Sequence, residues 1–113
     1  MKVLYIAGPF RAPTAWGIEC NVRRAEDAAA VLVMEFGIMP MIPHANTRYF
    51  HGMGDDSFWI DGTLELMRRC DALYLIDGWE KSSGARGERT EAERLEMPIF
   101  TSEDHLRLCR WLP

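Results

Sequence analysis

Four short apolar runs, separated by longer amphipathic stretches, restrict the fold of this chain more than any other feature. The runs lie at 3–7, 38–42, 72–76 and 98–101. Short apolar runs bounded by turn-forming residues predict buried strands, and apolar residues at helical spacing between them predict helices. The resulting β-α-β-α-β-α-β-α order indicates a parallel sheet with helices on both faces.

The predicted helices follow the strands in turn, and Gly37 is expected to end the first of them. Pro40 inside the second apolar run favours an edge position for that strand, because proline lacks an N–H donor. Asp55 or Asp56 is a candidate N-cap for the second helix. The helices are predicted within Ala15–Phe36, at about Ser57–Arg69, at about Gly84–Glu96, and over Glu103–Trp111.

The second helix is expected to bury Phe58, Leu64 and Met67. The segment 43–54 that precedes it is predicted to be a loop. That loop carries His44, Arg48, Tyr49 and His51.

Right-handed crossovers leave few topologies open to such an order of elements. We expect one domain over residues 1–113 with a doubly wound, flavodoxin- or Rossmann-like α/β fold and strand order 2-1-3-4. Its switch point lies between the first and third strands, and ligands bind beyond the carboxyl ends of those strands. Two loops, 8–11 and 77–87, are therefore expected to form the binding crevice.

Charge and cysteine content narrow the class of function. The formal net charge of -4 argues against a nucleic-acid polymer as partner, because such a binder would present a basic face. Cys20, Cys70 and Cys109 show no metal-ligand spacing and suit a reducing compartment. The N-terminus does not resemble a signal peptide, and no apolar run approaches the roughly 20 residues that span a bilayer. We therefore expect a cytoplasmic protein without metal, cofactor or membrane contact.

Glu88 is the most informative polar residue. Steps of three and four place it in the predicted inward stripe of its helix, which Ala85, Ala92 and Leu95 also occupy. A helix start stabilises a negative charge by roughly 0.3–1 kcal/mol, whereas burial acts in the opposite direction. An ionised glutamate there suits a nucleophile. The alternative is that Glu88 is one more solvated charge on a polar helix.

The loop before that helix is rich in small residues. Backbone N–H groups at a helix start, with the Ser82 hydroxyl and Gly84 nearby, suit a phosphate. The segment ends in neither a P-loop nor a dinucleotide-binding pattern, and it is equally compatible with a simple turn. Tyr5, near the end of the first strand, is a candidate partner for the Glu88 carboxylate, and Arg11, just past Gly8-Pro9, is a candidate phosphate ligand. Their alternatives are a core tyrosine and a surface charge.

Two parts of the chain resemble a known superfamily. They are the opening segment 5–11 (YIAGPFR) and the stretch from 70–72 (CDA) to 82–92, which has the pattern S-x-G-x-x-x-E-x-x-x-A. Both are similar to the nucleoside 2-deoxyribosyltransferase superfamily, which includes 2-deoxynucleoside 5′-monophosphate N-glycosidases. The likeness is to small members, in which we also expect segments 43–44 (PH) and 78–82 (GWEKS). It extends from residue 3 to about residue 101.

The resemblance implies cleavage of the N-glycosidic bond of a nucleoside or nucleotide, by hydrolysis or base transfer. Glu88 would attack the anomeric carbon and form a covalent glycosyl-enzyme, and Tyr5 would orient its carboxylate. Ser82 and Arg11 would bind a 5′-phosphate. The chemistry is consistent, because a carboxylate stabilises an oxocarbenium-like transition state.

One position departs from the superfamily pattern. An Asp is usual on the helix before the third strand, and at the matching position this chain has Thr63. Asp61 is the candidate for contacting or protonating the base. Asp77 is an alternative acid, although an Asp before Gly78 is also a common turn residue.

Three further residues are candidates for contact with the substrate. His44 is expected to reach the crevice as a base contact or proton carrier, or else to be incidental. Trp79 and Trp59 are candidates for stacking on a nucleobase, although burial or an oligomer contact is the commoner fate of such rings. Small members of the superfamily form dimers whose site the neighbour completes, so a homodimer or higher homo-oligomer is expected.

Two other classes of function remain open from the sequence. One is a nucleotide-binding or sensor module without turnover, which Thr63 favours. The other is a flavodoxin-like interaction domain with no nucleotide site. The set of Tyr5, Ser82, Gly84 and Glu88 favours the enzyme.

Overall fold

The computed structural model describes residues 1–50 and 52–113. Four parallel strands form one sheet in the order β2-β1-β3-β4, which confirms the predicted fold and strand order. Pro40 lies in the edge strand β2, as its missing N–H requires. The strands are β1 (Val3–Ala7), β2 (Met39–Met41), β3 (Ala72–Leu75) and β4 (Ile99–Thr101).

In the described residues, five α-helices connect and cover the strands. Thr14 begins the first, since its side-chain oxygen accepts from the Gly17 N–H at 3.0 Å. Gly37 ends that helix in the left-handed conformation, with φ of 65°, which glycine adopts without steric cost. The helices are α1 (Ala15–Phe36), α2 (Pro43–Thr47), α3 (Asp56–Arg68), α4 (Ser83–Arg94) and α5 (His105–Trp111).

The segment 43–54 is not the plain loop that the sequence predicts. It contains helix α2 and a 3₁₀ turn at Arg48–Phe50. Pro43 takes the first helical position of α2, where its missing N–H costs nothing. His51, which the same prediction included, lies outside the described residues.

The sheet divides two apolar layers. On one face, residues of β1 and β3 such as Ile6 and Tyr74 pack with α1 and α5. On the other, Tyr5, Ala7, Leu73 and Leu75 pack with Met67 of α3 and Ala92 of α4. Since strand side chains alternate between faces, this register fixes which residues of β1 meet α3 and α4. In the described part of the chain, no helix is long and apolar enough to cross a membrane.

Two residues predicted to be buried are not. Phe58 is 65% exposed, because the first turn of α3 lies outside the packed part of the helix, which Met67 anchors. Leu95 is 37% exposed, because α4 ends at Arg94 and Leu95 follows it. The predicted inward stripe of α4 is correct for Ala85 and Ala92.

Candidate active site

The switch point of the sheet lies between β1 and β3, where the crossovers on the two sides diverge. Gly8 follows β1 there, and it packs so closely on Ile76 that an added Cβ would lie 2.3 Å from the Ile76 Cγ1. On the α3 and α4 face of the same strand, Tyr5 is fully buried. The carboxyl ends of the two central strands therefore meet tightly, with one phenol beside them.

The Tyr5 hydroxyl is the centre of a small polar cluster. The side chains of Glu88 on α4 and Thr63 on α3 adjoin it. The hydroxyl is nevertheless buried without a hydrogen-bond partner among the described residues. Burial raises the pKa of Tyr5, and the neighbouring charge of Glu88 raises it further, so this phenol stays protonated. A buried donor without a partner is costly, which makes it a candidate for contact with a ligand.

Glu88 carries the chemistry of this cluster. Glu88 is half-buried, and burial raises its pKa to about 7. The Tyr5 hydroxyl opposes that rise: its geometry falls short of a hydrogen bond, but its dipole lies near enough to favour the charged carboxylate. A carboxyl with this pKa is present in both forms at neutral pH. It can attack as a carboxylate or act as an acid.

Thr63, rather than Asp61, faces the cluster from α3. Two residues along an α-helix correspond to a rotation of about 200°, so the two side chains point in nearly opposite directions. Thr63 adjoins Tyr5, and its hydroxyl donates to the Ile60 carbonyl at 3.0 Å. Asp61 is exposed. The structure therefore does not bring the predicted acid Asp61 to Tyr5 and Glu88.

The loop before α4 is ordered by its own polar groups. Ser82 caps the helix, since its hydroxyl oxygen accepts from the Ala85 N–H at 3.1 Å. Arg86 donates to the Glu80 carbonyl at 2.7 Å and closes the loop. A Cβ added to Gly84 would lie 3.8 Å from the Ser82 oxygen, an ordinary contact, so packing alone does not require glycine there. The start of α4, with no side chain at Gly84 to fill the adjacent space, is compatible with binding of an anion.

Arg11 and Asp77 are both engaged elsewhere. The exposed Arg11 guanidinium pairs with Asp56 at 3.1 Å. The Asp77 carboxylate accepts from the Ser102 hydroxyl at 2.8 Å, which directs it to the residue after β4. Neither side chain contacts Glu88 in the structure, and Asp77 behaves as a turn residue beside Gly78, whose φ is 89°.

His44 supports the first loop from within. It is 4% exposed, and its Nε2 donates to the carbonyls of Gly8 at 3.1 Å and Pro9 at 2.9 Å. Burial lowers its pKa, so the ring is neutral with the proton on Nε2, while Nδ1 is buried without a partner. The ring edge also meets Phe10 at 5.3 Å between centroids. His44 therefore holds the loop after β1 in place.

The two tryptophans predicted to stack on a base, Trp79 and Trp59, lie in different parts of the structure. Trp79 is partly buried against the layer that contains Tyr5, and the Arg89 guanidinium lies 4.9 Å from its ring centroid. Trp59 stacks on Phe50 with centroids 5.5 Å apart and planes 6° apart. Trp59 precedes Thr63 by four residues and shares its face of α3.

Two contacts of the loops were not anticipated from the sequence. Asp56 binds Arg11, and its spacing of seven residues from Thr63 would have placed it on the same face of α3. Arg24 of α1 donates to the Asp77 carbonyl at 2.8 Å and joins α1 to the turn after β3. No sequence signal marks this second contact, because the residues are 53 positions apart.

Fold and site together define a doubly wound α/β protein with a glutamate and a tyrosine at the switch point of its sheet. The family model for a domain of unknown function (DUF4406) matches residues 2–101, and the chain belongs to that family. Searches of curated proteins and of solved structures find no match.

Proposed function

We propose that this protein cleaves the N-glycosidic bond of a nucleoside or nucleoside 5′-monophosphate, with Glu88 as the nucleophile. The observation that carries the proposal is the cluster at the switch point: a half-buried Glu88, whose pKa is raised to about 7, beside the buried and unpartnered Tyr5 hydroxyl. A half-buried carboxyl with a perturbed pKa, next to a buried donor without a partner, is typical of catalytic sites.

The reaction would pass through an oxocarbenium-like transition state. The ionised Glu88 stabilises the growing positive charge and then bonds to C1′ as the base departs. The Tyr5 hydroxyl donates to the carboxylate oxygen that does not attack, and so keeps it aimed at C1′. Water or a second base then releases the sugar, which gives hydrolysis or base transfer. The proposal requires no metal or cofactor.

The start of α4 is the proposed phosphate site. Backbone N–H groups in the first turn of this 12-residue helix, with the Ser82 hydroxyl, would bind the 5′-phosphate. Arg11 would join them by leaving its exposed pair with Asp56, which costs little because exposed ion pairs contribute roughly 0–1 kcal/mol. This assignment favours monophosphates over nucleosides.

Gly84→Ala tests the phosphate site against Gly87→Ala on the same helix. Either change should stabilise the protein by up to about 1 kcal/mol, since alanine is the better helix residue and neither Cβ meets a close contact. Only Gly84→Ala should raise KM for a monophosphate, by about tenfold, because its methyl group enters the space for the phosphate. Thermal unfolding and steady-state kinetics measure both effects. Equal KM values for the two variants would show that the phosphate does not bind at the start of α4.

Chromatography of the released base tests the function directly. Wild-type protein is incubated with ribo- and deoxyribonucleosides and their 5′-monophosphates, with and without a free acceptor base. Mass spectrometry of the quenched protein then seeks an added glycosyl group on the peptide that contains Glu88. Release of base with such an adduct supports the proposal. If the protein releases no base from any compound at high concentration, the proposal is wrong.

Tyr5→Phe separates a catalytic from a structural role of the tyrosine. The Tyr5 hydroxyl is buried without a partner, so its removal should stabilise the protein by about 1 kcal/mol. The same change should lower kcat by about 10- to 100-fold, because the hydrogen bond that Tyr5 would donate to the Glu88 carboxylate during the reaction is lost. Denaturant unfolding and base release measure the two effects. A loss of stability together with unchanged kcat would show that Tyr5 only fills the core.

The presence of Thr63 in place of an Asp favours a second function, a nucleotide-binding or sensor module without turnover. The side chain that faces Tyr5 from α3 offers a hydroxyl and no carboxyl. Isothermal titration with nucleoside monophosphates separates the two functions: a module binds them without releasing base.

The proposal extends to assembly and location. An exposed apolar surface around the 3₁₀ turn and the start of α3, formed by Tyr49, Phe50, Met53, Phe58 and Ile60, supports a homo-oligomer. Cys20, Cys70 and Cys109 are free thiols, which supports a reducing compartment such as the cytoplasm. A small-molecule substrate remains the expected partner, without nucleic-acid polymer or membrane.

A further inference from the structure

The candidate acids Asp61, Asp77 and Asp56 are directed away from Tyr5 and Glu88. In the described part of the chain, the polar groups that adjoin Glu88 or Tyr5 are the Tyr5 and Thr63 hydroxyls and the Cys70 thiol. Burial raises the pKa of that thiol to about 11, and burial also raises the pKa of the phenol. Neither is a competent proton donor at neutral pH, since an efficient acid has a pKa near the working pH.

The other candidate acids lie away from Glu88 or are bound to other groups. Asp61 is exposed on the opposite side of α3 from Thr63. Asp77 accepts from Ser102, and Asp56 pairs with Arg11. The one proton of His44 is shared between two backbone carbonyls. In the described residues, Glu88 is therefore the only carboxyl of the cluster, and as the nucleophile it must be ionised.

When the C1′–N bond breaks, its electron pair stays on the departing base. Without a proton donor, nothing neutralises the negative charge that this pair adds to the base. An uncharged purine or pyrimidine would leave as an anion, which is why an acid normally contributes about 10²- to 10⁴-fold to such reactions. A base that is already cationic, such as a pyridinium or an N7-alkylated purine, leaves as a neutral molecule and needs no proton.

Resting on the proposed function, we infer that the substrates of this site are glycosides of positively charged bases. The Glu88 carboxylate bonds to C1′, the C1′–N bond breaks, and its electron pair neutralises the cationic base. Water then attacks C1′ of the glycosyl-enzyme. One water proton passes to solvent, and the carboxylate of Glu88 is regenerated.

Two matched pairs of probes test this inference: 7-methylguanosine against guanosine, and nicotinamide riboside against uridine, each with its 5′-monophosphate. We expect kcat/KM for the charged base to exceed that for the uncharged base by at least about 10²-fold. Thr63→Asp should raise the rate for uncharged bases relative to charged ones by about tenfold or more. Thr63→Asn, which adds similar bulk without an acid, should not.

The possible failures are distinguishable. Comparable release of both kinds of base overturns this inference and leaves the proposed function in place. Release of neither kind overturns both. His51 lies outside the described residues, so His51→Gln is included: a loss confined to the uncharged bases would identify a proton donor and overturn the inference. An equal response of Thr63→Asp and Thr63→Asn would do the same.

Discussion

Glu88→Gln is expected to lower the rate of base release by at least about 10³-fold, while the protein stays folded. Glutamine has the shape of glutamate but cannot carry the negative charge that attacks C1′, and loss of a nucleophile typically costs several orders of magnitude. Single-turnover base release, measured on the best compound of the panel, gives the rate. In wild type, kcat/KM should rise with pH through about 7, the pKa of Glu88, as its carboxylate forms.

Glu93→Gln is the matched control for this substitution. Glu93 lies on the same helix, pairs with Arg89 at 3.0 Å and is exposed, so its loss removes the same charge away from the crevice. Its rate should remain within about twofold of wild type, as expected for an exposed ion pair that contributes little. If Glu93→Gln and Glu88→Gln lowered the rate equally, the loss of rate would come from the changed charge of the helix and not from a nucleophile at Glu88. A flat pH profile would exclude Glu88 as the titrating group.

The fold follows from local signals in the sequence to a large extent. Gly37 ends α1, Pro40 marks the edge strand, and the four apolar runs locate the strands, because each depends on backbone chemistry or on burial by immediate neighbours. The short helix α2 was missed because its five residues have too few turns to show a helical period. Phe58 was misjudged because periodicity identifies a face and not how far the sheet extends beneath it.

The candidate site was predictable only in part. Tyr5 and Glu88 came from periodicity and a motif, and the structure brings them together. The choice between Asp61 and Thr63 depends on the rotation of α3, which one sequence does not fix to within two residues. The role of His44 depends on two carbonyls more than 30 positions away, and such long-range contacts leave no pattern in the chain. Functional residues that fold back on distant loops are therefore the part that required the structure.

The second large effect concerns stability rather than turnover. Burial raises the pKa of Glu88 from 4.5 to about 7, so between these values the folded protein holds a proton that the unfolded chain has released. The stabilisation that this proton gives is complete below about pH 4.5 and is lost as pH rises through about 7. A shift of this size corresponds to roughly 2–3 kcal/mol, after allowance for the partial exposure of the side chain. Glu88→Gln should therefore gain that much free energy of unfolding, relative to wild type, between pH 4.5 and pH 8.

The difference between the two proteins is the quantity to measure, because other groups titrate too. His44 has a lowered pKa and acts in the opposite direction, so its contribution is lost as pH falls below about 6.5. Hydrogen bonds with arginine lower the pKa of Glu65 and Glu91, and these two groups make stability depend on pH only below about pH 4.5. All three are common to wild type and Glu88→Gln and cancel in the difference. Urea unfolding at several pH values gives that difference without any substrate. A constant difference would mean that Glu88 is not buried as a carboxyl, which would remove the physical basis for a nucleophile there even before an activity is known.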